Sequence, residues 1–129
     1  MTTYLLAGGG TAGHVNPLLA VADLLREREG DDVLVLGTKE GLEARLVPER
    51  GYELLTVDKV PFPRRPNGAA VAFPARFQRA VSQVRAHIRR HGVDVVVGFG
   101  GYASAPAYIA ARRERGPFVG HEADAEPGL

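Results

Sequence analysis

At 129 residues, with 16 lysines and arginines against 15 aspartates and glutamates and no cysteine, the chain has room for one domain that buries about two thirds of its unfolded surface. A net charge of +1 argues against wholesale nucleic-acid binding, and the lack of cysteine excludes a disulfide scaffold and thiolate catalysis while fitting a reducing compartment. No apolar run is long enough to span a bilayer, and Met1-Thr2-Thr3 leads directly into a strand, leaving no room for a signal peptide.

Tyr4 to Ala7 is a short apolar run that predicts a strand, and Gly8 to Gly13 is rich in glycine. Asn16-Pro17 is a helix-start signal, a capping side chain followed by proline, so the stretch reads as strand, tight loop and helix. Glycines remove the Cβ that would hold a backbone away from an anionic or sugar ligand, and a helix N-terminus supplies free N–H donors. His14 falls between the last glycine and the helix. Pro17 to Arg28 then has the helical period, with Leu18, Val21, Ala22 and Leu25 on one face.

Asp32 to Leu36 is a near-continuous apolar strand of the kind covered on both faces. Gly41 to Arg50 fits a short helix with Leu42, Leu46 and Val47 inward, and Tyr52 to Val57 is a third strand. Pro61 to Gly68 is loop chemistry throughout. Ala75 to His91 returns to helical period, with Phe73 or Phe77, Val81, Val84 and Ile88 spaced by three and four. Val93 to Phe99 predicts a strand that opens a second glycine turn, Gly98 to Tyr102, followed by Ser104-Ala105-Pro106 and a helix to the region of Arg115. Phe118 to Gly120 is a brief fifth strand that delivers His121 and Glu122 at its carboxyl end.

Strands alternating with helices at this spacing predict right-handed crossovers and an α/β, doubly wound parallel sheet. In the order 3-2-1-4-5 the first and fourth strands are neighbours, and the crevice between them is where such sheets bind ligands. Both glycine turns, and the His121-Glu122 pair, converge there. The last residues, Glu126-Pro127-Gly128-Leu129, follow a strand without the helix an α/β unit supplies next, so the chain is expected to be part of a larger protein.

Gly8, Gly10 and Gly13 satisfy GxGxxG, but Leu36-Gly37-Thr38 carries no acid to hold a ribose, which argues against a dinucleotide. A phosphate-binding Walker loop fails because His14-Val15 stands where Lys and Ser or Thr belong, and there is no GxSxG elbow. His121, Glu122, Asp124 and Glu126 match no metal-ligand spacing; they read either as crevice groups or as solvated acids. His14 is open to two readings, a loop hydrogen bond or a general base facing the second turn. From Lys59 to His91 there is no acid, while Lys59, Arg64, Arg65, Arg76, Arg79, Arg85, Arg89 and Arg90 are interleaved with Phe62, Phe73 and Phe77. That segment suits an anionic membrane surface, or else an amphipathic helix with a buried stripe and solvated arginines.

The stretches GGGTAGHVNPLLAVADLL, LGTKEGLEARLVPERGYEL, VVVGFGGYASAPAYIAA and HEADAEPGL together resemble the MurG family of bacterial glycosyltransferases, in order and over essentially the whole chain. The resemblance covers the amino-terminal half of that family's protein. It implies a GT-B architecture of two Rossmann-like domains, of which residues 1–129 are part of the first, acceptor- and membrane-binding one, the carboxy-terminal donor domain being absent. The implied activity is inverting transfer of N-acetylglucosamine from UDP-N-acetylglucosamine to the C4 hydroxyl of MurNAc in lipid I, giving lipid II for peptidoglycan synthesis. No further cofactor and no metal motif is implied in this half. The implied partners are the lipid-linked sugar acceptor and an anionic membrane, with peripheral location on the cytoplasmic face of the cell membrane.

Residue by residue, the resemblance makes Thr11, Ala12, Gly13 and Asp124 donor contacts, with Ala12 replacing the family's glycine and Asp124 its asparagine. Ala12 is compatible only with a negative φ at that position and with no phosphate oxygen in van der Waals contact. Gly100, Gly101, Tyr102 and Ser104 become acceptor contacts, with Pro106 completing their motif. His14 becomes the base, with Glu122 the alternative. Phe62, Arg64, Arg65, Phe73, Arg76 and Phe77 form the membrane-facing set. Two other readings stand beside this one: a non-catalytic membrane-anchoring, acceptor-binding subunit of a split transferase, and a nucleotide-cofactor domain.

Overall fold

The computed structural model describes residues 2–28, 30–61, 63 and 65–120. Among these, strands β1 (Thr3–Ala7), β2 (Asp32–Gly37), β3 (Leu54–Thr56), β4 (Val95–Gly98) and β5 (Phe118–Gly120) alternate with helices α1 (Ala12–Arg26), α2 (Glu43–Glu49), α3 (Gly68–His91) and α4 (Ser104–Arg113). All neighbouring strands pair in parallel in the order β3-β2-β1-β4-β5. The Rossmann-like, doubly wound sheet expected from the alternation is therefore present, with Leu5 in register with both Leu34 and Val96.

The two-residue period of each strand sorts its side chains between two apolar layers. Leu5, Ala7, Leu36 and Val96 face α3 and α4, where Ala80, Val81, Val84, Ala107 and Ala110 are fully buried. Leu6 and Val35 face α1 and α2 on the opposite side, packing with Val15, Leu18, Ala22 and Val47. Leu18 and Ala22 are buried as expected, whereas Val21 and Leu25 are only partly covered.

Two helices start earlier than their sequence signals indicate. α1 begins at Ala12, so His14 lies in its first turn and Asn16-Pro17 lies inside it. Thr11 sets the boundary: its backbone is extended (φ −127°, ψ 162°), and its carbonyl accepts from the His14 and Val15 amides at 3.0 and 2.9 Å. Pro17 falls in the second turn and leaves the Gly13 carbonyl without its usual intrahelical donor. α3 begins at Gly68 rather than near Ala75 and contains Pro74. Asn67 closes its start, accepting from the Ala70 and Val71 amides at 3.0 and 3.2 Å.

Candidate functional site

β1 and β4 lie side by side, and the turns leaving their carboxyl ends touch. A Cβ placed on Gly101 would stand 2.5 Å from the Gly9 carbonyl oxygen, and one on Gly100 would stand 2.7 Å from the His14 ring. Both residues have positive φ, +98° at Gly100 and +89° at Gly101. The second turn is thus glycine for two reasons, its backbone angles and the closeness of the first turn.

Between the turns opens a cavity of about 320 Å³. Gly9, Gly10, Thr11 and His14 line it from the first turn and the start of α1; Gly101, Tyr102, Ala105 and Pro106 line it from the second turn and α4; Val60 and Phe77 close the far wall. One end is lined by the glycine-turn backbone and an imidazole, and the other is apolar. Of the amides that open α1, those of His14 and Val15 are taken by the Thr11 carbonyl, and those of Ala12 and Gly13 precede the first such bond, where a helix start offers donors to an anion or a sugar hydroxyl. Ala12 sits at that opening, exposed and without positive φ, which meets the backbone part of the condition its methyl group imposes.

The His14 Nδ1 lies 2.9 Å from the Gly9 carbonyl oxygen. The Thr11 hydroxyl lies 3.4 Å from the same nitrogen; a carbonyl only accepts, so Nδ1 carries a hydrogen, and in the neutral ring the lone pair is then on Nε2. The loop hydrogen-bond reading of this histidine is the one seen here, and it leaves the second ring nitrogen uncommitted to the loop. The Ser104 hydroxyl accepts from the Gly100 amide at 2.8 Å and lies within donor reach of Gly100 O (3.0 Å) and Ala7 O (3.2 Å). Its single hydrogen is therefore committed to the backbone, and Ser104 shapes the second turn from within. Tyr102 is exposed and carries the Lys59 ammonium 4.9 Å above its ring.

Sequence reasoning passed over Glu43. It is 1% exposed, with Oε1 accepting from the Gly10 amide at 2.8 Å and Oε2 accepting from the Thr38 amide at 2.8 Å and the Thr38 hydroxyl at 3.1 Å. Gly9, Gly37 and Gly41 surround it so closely that a Cβ on any of them would come within 2.5 Å of its atoms. Glycines at 37 and 41, beside a glutamate in an otherwise ordinary helical stretch, were the available signal.

Of the basic segment, Arg85 and Arg89 both bind Glu114 (2.7 and 2.9 Å), holding its carboxyl below the usual range, and Arg79 pairs with Asp58 at 3.4 Å. Arg76 donates to the Lys59 carbonyl at 3.3 Å. Phe73 and Phe77 are partly buried against the core rather than turned outward, with ring centroids 5.5 Å apart. The amphipathic-helix reading accounts for this half of α3, and among the described residues near its start Val71 is the large apolar side chain left exposed. Arg65 is exposed. Phe62, Arg64, His121, Glu122, Asp124 and Glu126 lie outside the described residues. No described helix is long and apolar enough to cross a membrane.

The model of the family described as the glycosyltransferase family 28 N-terminal domain matches residues 4–129. An N-acetylglucosamine transferase of Clavibacter sepedonicus, named as acting on N-acetylmuramyl-(pentapeptide) pyrophosphoryl-undecaprenol, is 73% identical over the whole chain. The same-named protein of Leifsonia xyli is 66% identical. The chain spans 35% and 36% of these two relatives. Among solved structures, MurG of Acinetobacter baumannii superposes with a TM-score of 0.84 at 33% identity, covering all of this chain and 37% of that one.

Proposed function

The chain belongs to the glycosyltransferase family 28 N-terminal domain family, and from that premise we propose that it forms the acceptor-binding part of an inverting N-acetylglucosamine transferase of peptidoglycan synthesis. The observation that carries this reading is the contact between the two glycine turns, which sets a lone-pair-bearing imidazole nitrogen and the Gly100–Tyr102 turn on one cavity. The donor is UDP-N-acetylglucosamine, and the acceptor is the lipid-linked N-acetylmuramyl pyrophosphate named in the relatives.

In this reading the amides at the start of α1 and in the second turn bind phosphate oxygens, and Tyr102 walls the acceptor sugar. His14 Nε2 removes the proton of the acceptor C4 hydroxyl as its oxygen attacks the anomeric carbon and UDP departs from the opposite face. Thr11 and Gly13 contact the donor from this side, and most of the UDP site belongs to a second domain. Arg65 and the start of α3, where Val71 protrudes, meet an anionic membrane surface on the cytoplasmic face.

The test is His14→Ala and His14→Gln in the full-length transferase that contains this chain, assayed with labelled UDP-N-acetylglucosamine and a lipid-linked acceptor. Turnover should fall by about two to four orders of magnitude. A loss below tenfold removes His14 from the role of base.

A further inference from the structure

His14 and Glu43 do not touch, yet they bind opposite ends of one peptide group. The Gly9 carbonyl accepts from His14 Nδ1 at 2.9 Å, and the amide of the same Gly9–Gly10 peptide donates to Glu43 Oε1 at 2.8 Å. We infer that Glu43 is a positioning residue for His14, acting through the Gly9–Gly10 peptide: a buried carboxylate, a peptide unit and an imidazole in series. This rests on the proposed role of His14 as base.

The physical argument runs through polarisation. A carboxylate on the N–H of an amide draws the hydrogen toward itself and leaves the carbonyl oxygen more negative, so hydrogen bonds in such a chain strengthen one another. The more negative carbonyl holds Nδ1–H more firmly, which selects the tautomer with Nε2 free and fixes the plane of the ring. When Nε2 takes the hydroxyl proton, the ring gains a positive charge. The C4 oxygen forms its bond to the anomeric carbon, and the sugar–phosphate bond breaks with its electron pair leaving on UDP. At that moment the carboxylate end of the series offsets the charge on the ring without itself taking a proton, as the buried acid does in a nucleophile–histidine–acid triad.

The surroundings are built for this geometry. Glu43 reaches the peptide from the start of α2, a segment 33 residues away in sequence. Gly9, Gly37 and Gly41 leave the space its side chain fills. Thr38 occupies Oε2 with its amide and its hydroxyl, so Oε1 faces the Gly10 amide and cannot swing away without breaking both bonds. A glutamate needed only to fill the space would not require its carboxylate on the peptide to which the histidine is bonded.

The experiment has two parts. In this chain, uniformly labelled with 15N and held at about pH 8 so that ordinary imidazoles are neutral, long-range 15N–1H correlation spectra report which His14 nitrogen carries hydrogen. The wild type should show the Nδ1–H form, the less common one in water, together with slowed exchange of the Gly10 amide. In Glu43→Gln the Nδ1–H form should lose ground to Nε2–H. In the full-length transferase, Glu43→Gln should lower kcat by about 10- to 100-fold, the range typical when an orienting partner is lost, with KM changing less than about threefold.

An Nε2–H tautomer in the wild type overturns the inference, as does a folded Glu43→Gln with wild-type tautomer and kcat. If Glu43→Gln does not fold, the wild-type tautomer and Gly10 exchange decide alone. A wild-type His14 in the Nδ1–H form, in a transferase that His14→Ala leaves active, sinks the base assignment and leaves the Glu43 geometry standing. An Nε2–H tautomer combined with inactive His14→Ala does the reverse.

Discussion

Gly10 and Gly101 form a matched pair for testing whether the two turns are in contact. Both have positive φ, +90° and +89°, so replacing either by alanine imposes the same left-handed backbone penalty, about 1–2 kcal/mol. They differ in what the new methyl meets. At Gly10 nothing lies within 4 Å, whereas at Gly101 the methyl would stand 2.5 Å from the Gly9 carbonyl oxygen, with the Gly9 carbonyl carbon and amide nitrogen both at 3.2 Å. A backbone oxygen cannot rotate aside as a side chain does, so one turn has to move, and overpacking of this kind costs about 1–3 kcal/mol more. Gly101→Ala is therefore expected to be less stable than Gly10→Ala by that margin, measured by urea unfolding of each chain followed by circular dichroism. At roughly 3–5 °C per kcal/mol for a domain of this size, the same difference is visible in Tm. Agreement of the two variants within about 0.5 kcal/mol would mean that the turns do not meet, and the proposed site would lose its geometry.

The other predictions concern the scaffold and the surface. Burial, and then the hydrogen bond to Asp23, push Tyr52 up to about 12 from its usual 10. The native state thus holds this proton more tightly than the unfolded chain, and the associated stability is complete below about pH 10 and lost as pH rises through about 12. Tyr52→Phe, which cannot ionise, should not show that decline, and the gap between the two pH profiles should close by about 2 kcal/mol across the window; parallel profiles would refute the coupling. Leu5→Ala removes a side chain with no exposure from the α3/α4 layer and should cost about 2–5 kcal/mol in urea. Val71→Ala, 84% exposed, should stay within about 0.5 kcal/mol. Binding of the chain to anionic phospholipid vesicles should weaken as salt rises, and Arg65→Ala should weaken it about fivefold, roughly 1 kcal/mol for one basic residue; binding that ignores salt would refute the surface assignment.

The sheet was legible because its evidence is local and redundant. DVLVL and VDVVVGF can be read as doubly covered strands from apolar content alone, and the spacing of the intervening helices then leaves few windings open. Helix starts are less legible because Pro17 reads as an entry residue and Pro61 to Gly68 reads as loop chemistry before α3. In the fold, Thr11 and Asn67 begin those helices with their carbonyls, and each helix absorbs its proline within the next turns. Phe73 and Phe77 could be placed on a helix from their spacing, but only the packing of α3 onto the sheet decides that their rings turn inward. Glu43 was least legible. Its burial depends on Gly9 meeting Gly37 and Gly41 from a distant segment, and the two nearby glycines leave room for a side chain without saying which partner it meets.

Glu43 also bears on the rival reading of GxGxxG as a dinucleotide site. In that site the middle glycine lets a pyrophosphate approach the backbone, and an acid beyond the second strand binds a ribose hydroxyl. Here an acid does follow β2, but it points inward. The Glu43 carboxylate holds the Thr38 amide, at the end of β2, together with the Gly10 amide of the glycine turn, and the space left beside Gly9 is filled by Glu43 itself. The donors and the acceptor that a dinucleotide would use are thereby bonded to each other. Titration of the chain with NAD, followed by intrinsic tyrosine fluorescence or calorimetry, should show no saturable binding in the micromolar range. Saturable micromolar binding would mean that Glu43 releases the turn to admit the ligand, and both the cofactor reading and the mobility of that carboxylate would then have to replace the rigid series through which it is argued to hold His14.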